Sequence, residues 1–257
     1  MKQFIFGRLD VRPSVLYLFS HVQEPSTTAT TLTDCRNRGG SFGIAVETTM
    51  NPSNAEGHST RDAVRTDGGR FRPFGTVRCS NPSYFRSQLS RDLGCLLDVD
   101  DDVVAWSCRP YGMEAALRDI EWEGPPPDFM ATYSNGREVY LHVTEDRVDP
   151  EVTEAAACRQ LWHRFVQASE INAASHRLQN ARDLLRYANY RTPLGDRIRL
   201  LAALNQEGSA SVGECLSVFR EIAPMAGLSS LILNRFVAVD LDAGLISPDT
   251  VVRAFAS

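Results

Sequence analysis

Asp128, His142 and Thr144 are the residues whose types and spacing offer chemistry. Asp128 follows the prolines Pro125 to Pro127 and opens the run FMATY; Ser134-Asn135-Gly136 supplies a turn, and EVYLHVT comes next. Residues two apart on a strand share a face, so this is a β-hairpin with an apolar face of Phe129, Ala131, Tyr133, Val139, Leu141 and Val143. The other face holds Met130, Thr132, Tyr140, His142 and Thr144, with Asp128 at the strand start. Hydrolysis of a phosphodiester with a metal needs carboxylates around a hard cation and a group that orients or deprotonates the attacking water. One carboxylate, one imidazole and one hydroxyl are an incomplete set for it. Asp128 and His142 are two ligands for a transition metal, and two do not make a usual site. The plainer alternative is an edge hairpin whose polar residues line a cleft.

The elements that must position these residues lie on both sides. Ser83–Leu97 reads as a helix, with Phe85, Leu89, Leu93 and Leu96 or Leu97 on one stripe and Pro82 before it. Asp98 to Asp102 ends that helix, and Val103 to Trp106 is a short strand leading to Arg109-Pro110. A second helix is expected over Pro150–Ser169, with Val152, Ala156, Leu161 and Phe165 inward.

The wording PPDFMATYSNGREVYLHVT resembles the TnsA family, the endonuclease subunit of heteromeric transposases and a branch of the PD-(D/E)xK nucleases, where the pattern is PDF, a turn, then EVK. Upstream, YFRSQLSRDLGCLLDVDDDVVAWSCRP is similar to the family frame YES-x-LE, leucines, an acidic turn, DVV and QP. Tyr84, Ser87, Leu89, Asp102, Val103, Val104 and Pro110 keep step; downstream, His176–Tyr187 resembles a phrase that closes the nuclease half, around Asn180-Ala181 and Leu184. The resemblance implies that a helix acid and two strand acids converge on Mg²⁺ and that a lysine balances charge at the phosphate. Of these Asp128 alone is present. Arg86 and Ser90 stand at the two glutamate positions, His142 at the strand acid and Thr144 at the lysine.

No substitute is close at hand. Glu145 points to the opposite face from Thr144, and Asp92 lies on the far side of the helix from Ser90. Lys2 is the only lysine, so none replaces the missing one. Arg86 is expected to project toward Asp128, pair with it and repel a divalent cation. The expected site is therefore metal-free and without cofactor, with Mg²⁺ the cation if the nuclease reading holds.

At 257 residues and 43% hydrophobic the chain is long enough for two packed domains. Its net charge of -5 excludes a global basic field, so any nucleic-acid surface is local. The six cysteines form no C-x-x-C pair and have no neighbouring histidine at ligand spacing, which reads as reduced thiols. The apolar run Val15–Phe19 is too short for a signal or a membrane span, giving the expectation of a cytoplasmic protein without membrane contact. Gln23–Thr76 is rich in Ser, Thr, Asn, Gly and Arg; Arg61, Arg65, Arg70, Arg72 and Arg78 make it either a solvated loop or a phosphate-contacting arm.

Between Arg159 and Arg199 eight arginines face Glu170, Asp183 and Asp196, and Arg177, Arg182 and Arg186 are the candidates for DNA contact there. The C-terminal part is expected to hold helices over Ile198–Leu204, Ser211–Phe219 and Leu228–Phe236, then strands Val237–Leu241 and Leu245–Ile246 flanking Asp242-Ala243-Gly244. This is a winged-helix reading that also resembles the TnsA-like C-terminal domain, closing on Ser247–Arg253. Its third helix presents Ser229, Ser230, Asn234 and Arg235 either to a DNA groove or, as in many winged helices, to a protein.

The expected fold is thus α/β: an irregular arm at 1–76, a PD-(D/E)xK restriction-endonuclease-like core at 77–192 and a winged-helix domain at 193–257. The function it implies is binding of double-stranded DNA without cleavage, as an accessory subunit beside a transposase or other protein. The alternatives are an active endonuclease with relocated ligands and a protein-interaction adaptor.

Overall fold

The computed structural model describes residues 75–255; the expectations on 1–74, including Arg61, Arg65, Arg70 and Arg72 of the arm, lie outside the described residues. The described chain is mixed α/β. Helix α1 (Gln88–Val99) leads into strand β1 (Val103–Cys108), a short helix α2 (Glu114–Asp119), and the hairpin strands β2 (Phe129–Tyr133) and β3 (Glu138–Thr144). Helix α3 (Pro150–Cys158) crosses over to strand β4 (Trp162–Gln167). The four strands form one sheet in the order β1-β2-β3-β4, antiparallel except for the parallel pair β3 and β4. A parallel pair requires such a crossover.

Helix α1 starts later than the apolar stripe suggests because Ser87 caps it. The Ser87 side chain accepts from Ser90 N–H, and Ser90 Oγ accepts from Ser87 N–H in return, a capping box. Phe85 is buried in the core but stands before the helix. The expected Pro150–Ser169 helix is corrected more heavily. It ends at Cys158, the chain reverses at Arg159 and Gln160, whose φ is 60°, and WHRFVQ pairs with β3 from Val139↔Trp162 to Thr144↔Gln167. An aromatic and β-branched run beside an open sheet edge gains a full ladder as a strand.

The hairpin turn falls where Asn135-Gly136 predicts it, with Gly136 at φ 79°, a conformation that side chains with a Cβ rarely adopt. Its apolar face packs Phe129, Ala131, Val139 and Leu141 against Leu93, Leu97 and helices α4 (Ala168–Ala173) and α5 (Ser175–Leu185). The opposite face is covered too: Met113, Tyr140, Val152 and Ala156 form a second cluster under α2 and α3. Helices thus lie on both faces of the sheet.

The C-terminal part comprises α6 (Leu194–Glu207), β5 (Ala210–Ser211), α7 (Val212–Val218), α8 (Pro224–Leu233), β6 (Val237–Val239) and β7 (Val251–Ala254). Its small antiparallel sheet has the order β5-β7-β6. The return strand is therefore Val251–Ala254 rather than the expected Leu245–Ile246. Ile246 is instead tied to α5, where Asn180 Oδ1 accepts from Ile246 N–H. Helix α8 starts at Pro224, whose missing N–H costs nothing in a first turn, and stops at Leu233.

The two parts share apolar core, since Leu233 and Leu241 belong to the cluster that holds Leu97 and Trp106. Polar clamps reinforce the junction: Arg235 donates to Asp100 O and Val103 O, both at 2.7 Å, and Arg78 donates to Leu233 O. Among the described residues no helix is long and apolar enough to cross a membrane.

Candidate functional site

Asp128 stands at the mouth of the hairpin because its N–H donates to Leu141 O while its own carbonyl accepts from Arg109 N–H, joining β1, β2 and β3 at one point. Its side chain is 3% exposed. Arg86 Nε donates to Oδ1 at 2.9 Å and Arg86 Nη2 to Oδ2 at 2.5 Å; Val143 N–H donates to Oδ2 at 2.8 Å. The carboxylate is thus held by a bidentate fork and a backbone donor. Arg86 reaches it from the residue before the Ser87 cap, not from the helix body. Its guanidinium remains 30% exposed.

Around this pair lies an aromatic and cationic rim. The Arg109 guanidinium carbon sits 3.4 Å from the centre of the Tyr84 ring, a cation–π stack. Arg109 has φ 48°, an uncommon backbone state for a residue with a Cβ. The stacked arginine was not singled out by sequence, which carries no cue to a contact between residues 84 and 109.

The remaining positions implied by the nuclease resemblance serve other ends. Ser90 is fully buried and spends its hydroxyl in the capping box, where it also donates to Ser87 O. Thr144 Oγ1 accepts from Arg147 N–H and closes the turn after β3. His142 is 2% exposed and joins a chain of hydrogen bonds with His163, a residue that the helical reading of 150–169 concealed.

The partners fix the tautomers of that chain. His142 Nε2 lies 3.0 Å from Pro125 O, which can only accept, so Nε2 carries the proton. In neutral His142, Nδ1 is then the acceptor, and it lies 2.6 Å from His163 Nε2, which must donate. His163 Nδ1 in turn accepts from Thr153 Oγ1 at 3.0 Å. Every donor and acceptor is satisfied with both rings neutral. Burial lowers both pKa values, that of His163 to about 3 with help from His142; Pro125 and Asp128 oppose the fall at His142. Phe165 stacks on the His142 ring, with Trp122 at its edge.

This donor set does not fit Mg²⁺. A hard divalent cation takes about six oxygen ligands. Here both Asp128 oxygens are engaged, and the candidates beside it are a capped hydroxyl, a turn hydroxyl and a neutral imidazole with both nitrogens bonded. Among the described residues no three His, Cys, Asp or Glu side chains gather around one point. Asp92 does face away, bonded to Gln88 and to Arg182 at 2.7 Å.

The six candidates for DNA contact are dispersed. Arg182 is spent on Asp92, and Arg177 pairs with Asp242 through Nε at 2.9 Å and Nη2 at 2.5 Å. Ser229 is 1% exposed because α8 packs on most of its circumference, so this helix is a core helix and does not present Ser229 or Ser230 to a groove. Arg235 lies beyond that helix and clamps the junction. Arg186 is exposed beside Asp183. Asn234 lines a polar cleft of about 540 Å³ between the two parts, together with Tyr190, Arg191, Thr192 and Arg197. Among the described residues no acidic one lines it, and Arg197 stacks on Phe236 at 4.6 Å. Arg191 and Arg197 belong to the basic stretch recognised in the sequence, but their place in one cleft follows from the fold.

The chain matches no family model and no curated protein.

Proposed function

We propose that this chain is a TnsA-like protein with a PD-(D/E)xK core and a winged-helix C-terminal domain, which binds double-stranded DNA without cleaving it and acts as an accessory subunit beside a transposase or other protein. The observation that carries the reading is the order of elements around Asp128. Helix α1, the meander β1-β2-β3, the crossover helix α3 and the parallel strand β4 place Asp128 at the start of the second strand, against the segment that enters α1. That order, and the C-terminal sequence helix, strand, two helices and two strands with β7 central, are compatible with the two folds the resemblance implies.

Cleavage loses support from the same geometry, because the Arg86 guanidinium sits on Asp128 where a cation would need that carboxylate free. DNA contact draws support from the cleft that holds Arg191, Arg197 and Asn234, with no carboxylate among the described residues that line it.

Supercoiled-plasmid nicking in Mg²⁺ and in Mn²⁺, run beside a duplex gel shift across a salt series, tests this with the wild type and Asp128→Ala. No nicking with salt-sensitive binding is the expected result. Nicking that disappears in Asp128→Ala would establish an active nuclease with relocated ligands, and absence of salt-dependent binding would leave the protein-interaction adaptor.

A further inference from the structure

We infer that, given the DNA reading proposed above on which this rests, the cleft between the two parts takes an unpaired nucleotide, and so prefers DNA with a single-stranded tail to blunt duplex. Phosphate contact by Arg191 and Arg197 leaves two rings of the cleft unused. Tyr190 is 48% exposed and Phe236 37%, high values for aromatic side chains that line a concave surface. Both are held in place by their backbones. Ser230 Oγ donates to Tyr190 O at 2.9 Å and Thr192 Oγ1 donates to Gly227 O at 2.8 Å, which fastens residues 190–192 along α8. On the other wall Arg235, at φ 56°, turns the chain after α8, and Phe236 N–H donates to Leu231 O. The turn leaves Asn234 and Phe236 in the cleft while Arg235 clamps the junction.

Rings beside arginines, with no carboxylate among the described lining residues, are the chemistry that single-stranded nucleic acid uses: cations meet the phosphates and aromatic faces take the bases. In a duplex each base is covered on both faces by its neighbours, so a protein ring finds nothing to stack on; an unpaired base offers its face. The Arg197 guanidinium, already lying over Phe236, is a second plane of the kind on which bases stack. Asn234 spends one amide hydrogen on Ser230 O at 2.7 Å, which leaves its Oδ1 and the exposed Asn189 amide to meet a base edge or a sugar. At about 540 Å³ the cleft falls in the range of roughly 300–1,000 Å³ that takes one small molecule, and a nucleotide is of that size. Stacking is tolerant of base identity, so the preference is for an unpaired base and not for a sequence.

The test is equilibrium binding of the full chain, at fixed salt, to a blunt duplex and to the same duplex carrying a short unpaired tail with 2-aminopurine in it. The tailed DNA should bind roughly tenfold more tightly, and its 2-aminopurine fluorescence should fall on binding. Tyr190→Ala should bring the ratio of tailed to blunt affinity down to about one, Tyr190→Phe should keep it, and Arg191→Ala should weaken both DNAs while preserving it. Salt-sensitive binding with equal affinity for the two DNAs would overturn the unpaired-nucleotide inference and leave the duplex reading standing. A tail preference that survives Tyr190→Ala would overturn the assignment to this cleft. Displacement of the tailed DNA by an equimolar amount of deoxyadenosine monophosphate would overturn it in favour of a free nucleotide, and failure to bind either DNA would remove the DNA reading itself.

Discussion

The Arg86 guanidinium grips the Asp128 carboxylate with two donors, at 2.9 and 2.5 Å, while Val143 N–H donates to Oδ2 at 2.8 Å. The pair that the sequence led one to expect is thus also a structural tie between the entry to α1 and the hairpin. Removing one partner of a fully buried pair costs about 3–5 kcal/mol because the other charge stays stranded. Arg86 is 30% exposed, so water screens part of that cost, and Arg86→Ala should lose roughly 1–3 kcal/mol in urea denaturation.

The same geometry makes a statement about metals. Because the carboxylate is already neutralised, the Tm of the wild type should not move across a Mg²⁺ or Mn²⁺ titration. A Tm that climbs with Mn²⁺ in the wild type, and fails to climb in Asp128→Ala, would show that the cation displaces Arg86.

The His142–His163 pair predicts a pH signature. Both pKa values are lowered in the folded state, that of His163 to about 3, whereas an unfolded histidine titrates near 6.5. Between those values the unfolded chain binds more protons, so stability is fully present above about pH 6.5 and is lost as pH falls below it. Each histidine contributes a slope of up to about 1.4 kcal/mol per pH unit. Asp98 and Asp100 act in the opposite sense, since burial raises their pKa values and their contribution is present at low pH and lost as pH rises. The difference between wild type and His163→Gln isolates the histidine share. Equal slopes for the two proteins between pH 6.5 and 4 would contradict the neutral chain.

Asn180 carries a fourth expectation. It is buried, its Nδ2 donates to Leu241 O and Gly244 O at 2.9 and 2.8 Å, and its Oδ1 accepts from Ile246 N–H at 2.9 Å. One side chain therefore satisfies three backbone groups in the loop after β6. Asn180→Ala should cost about 2–4 kcal/mol, the sum of a few unsatisfied backbone groups, and raise hydrogen exchange over residues 240–247 first. Exchange that rises uniformly over the chain would mean that the loop is not held by this residue.

The hairpin was legible because its two strands alternate strictly and Asn135-Gly136 can make only a few turns. The Arg86–Asp128 contact was legible because residue type and position in a frame sufficed. Strand β4 was not, since Leu161 and Phe165 fit a helical stripe as well as a strand, and only the free edge of β3 decides between them. His163 and Thr153 were lost with it. The DNA-facing assignment of α8 failed for a related reason: Ser229 and Ser230 look polar in sequence, but small hydroxyls pack inside tightly, and Ser230 Oγ donates to Tyr190 O. Arginines announce a basic surface by composition, yet Arg177 and Arg182 are consumed by Asp242 and Asp92, carboxylates 65 and 90 residues away.

That leaves the cleft of Arg191, Arg197 and Asn234 as the place where the proposed DNA contact is to be measured. Each arginine that meets a phosphate contributes about one unit to the slope of log affinity against log salt. Arg191→Ala and Arg197→Ala should each lower duplex affinity and flatten that slope by about one unit, without preference for any base sequence. Arg197 also covers Phe236, so its replacement should cost some stability as well; Arg191 is exposed and forms the cleaner test. Arg177→Ala serves as the contrast, because its guanidinium is occupied by Asp242 and 12% exposed. Should Arg177→Ala flatten the salt slope while Arg191→Ala and Arg197→Ala leave it intact, the DNA surface lies on the α5 side and the cleft reading is wrong.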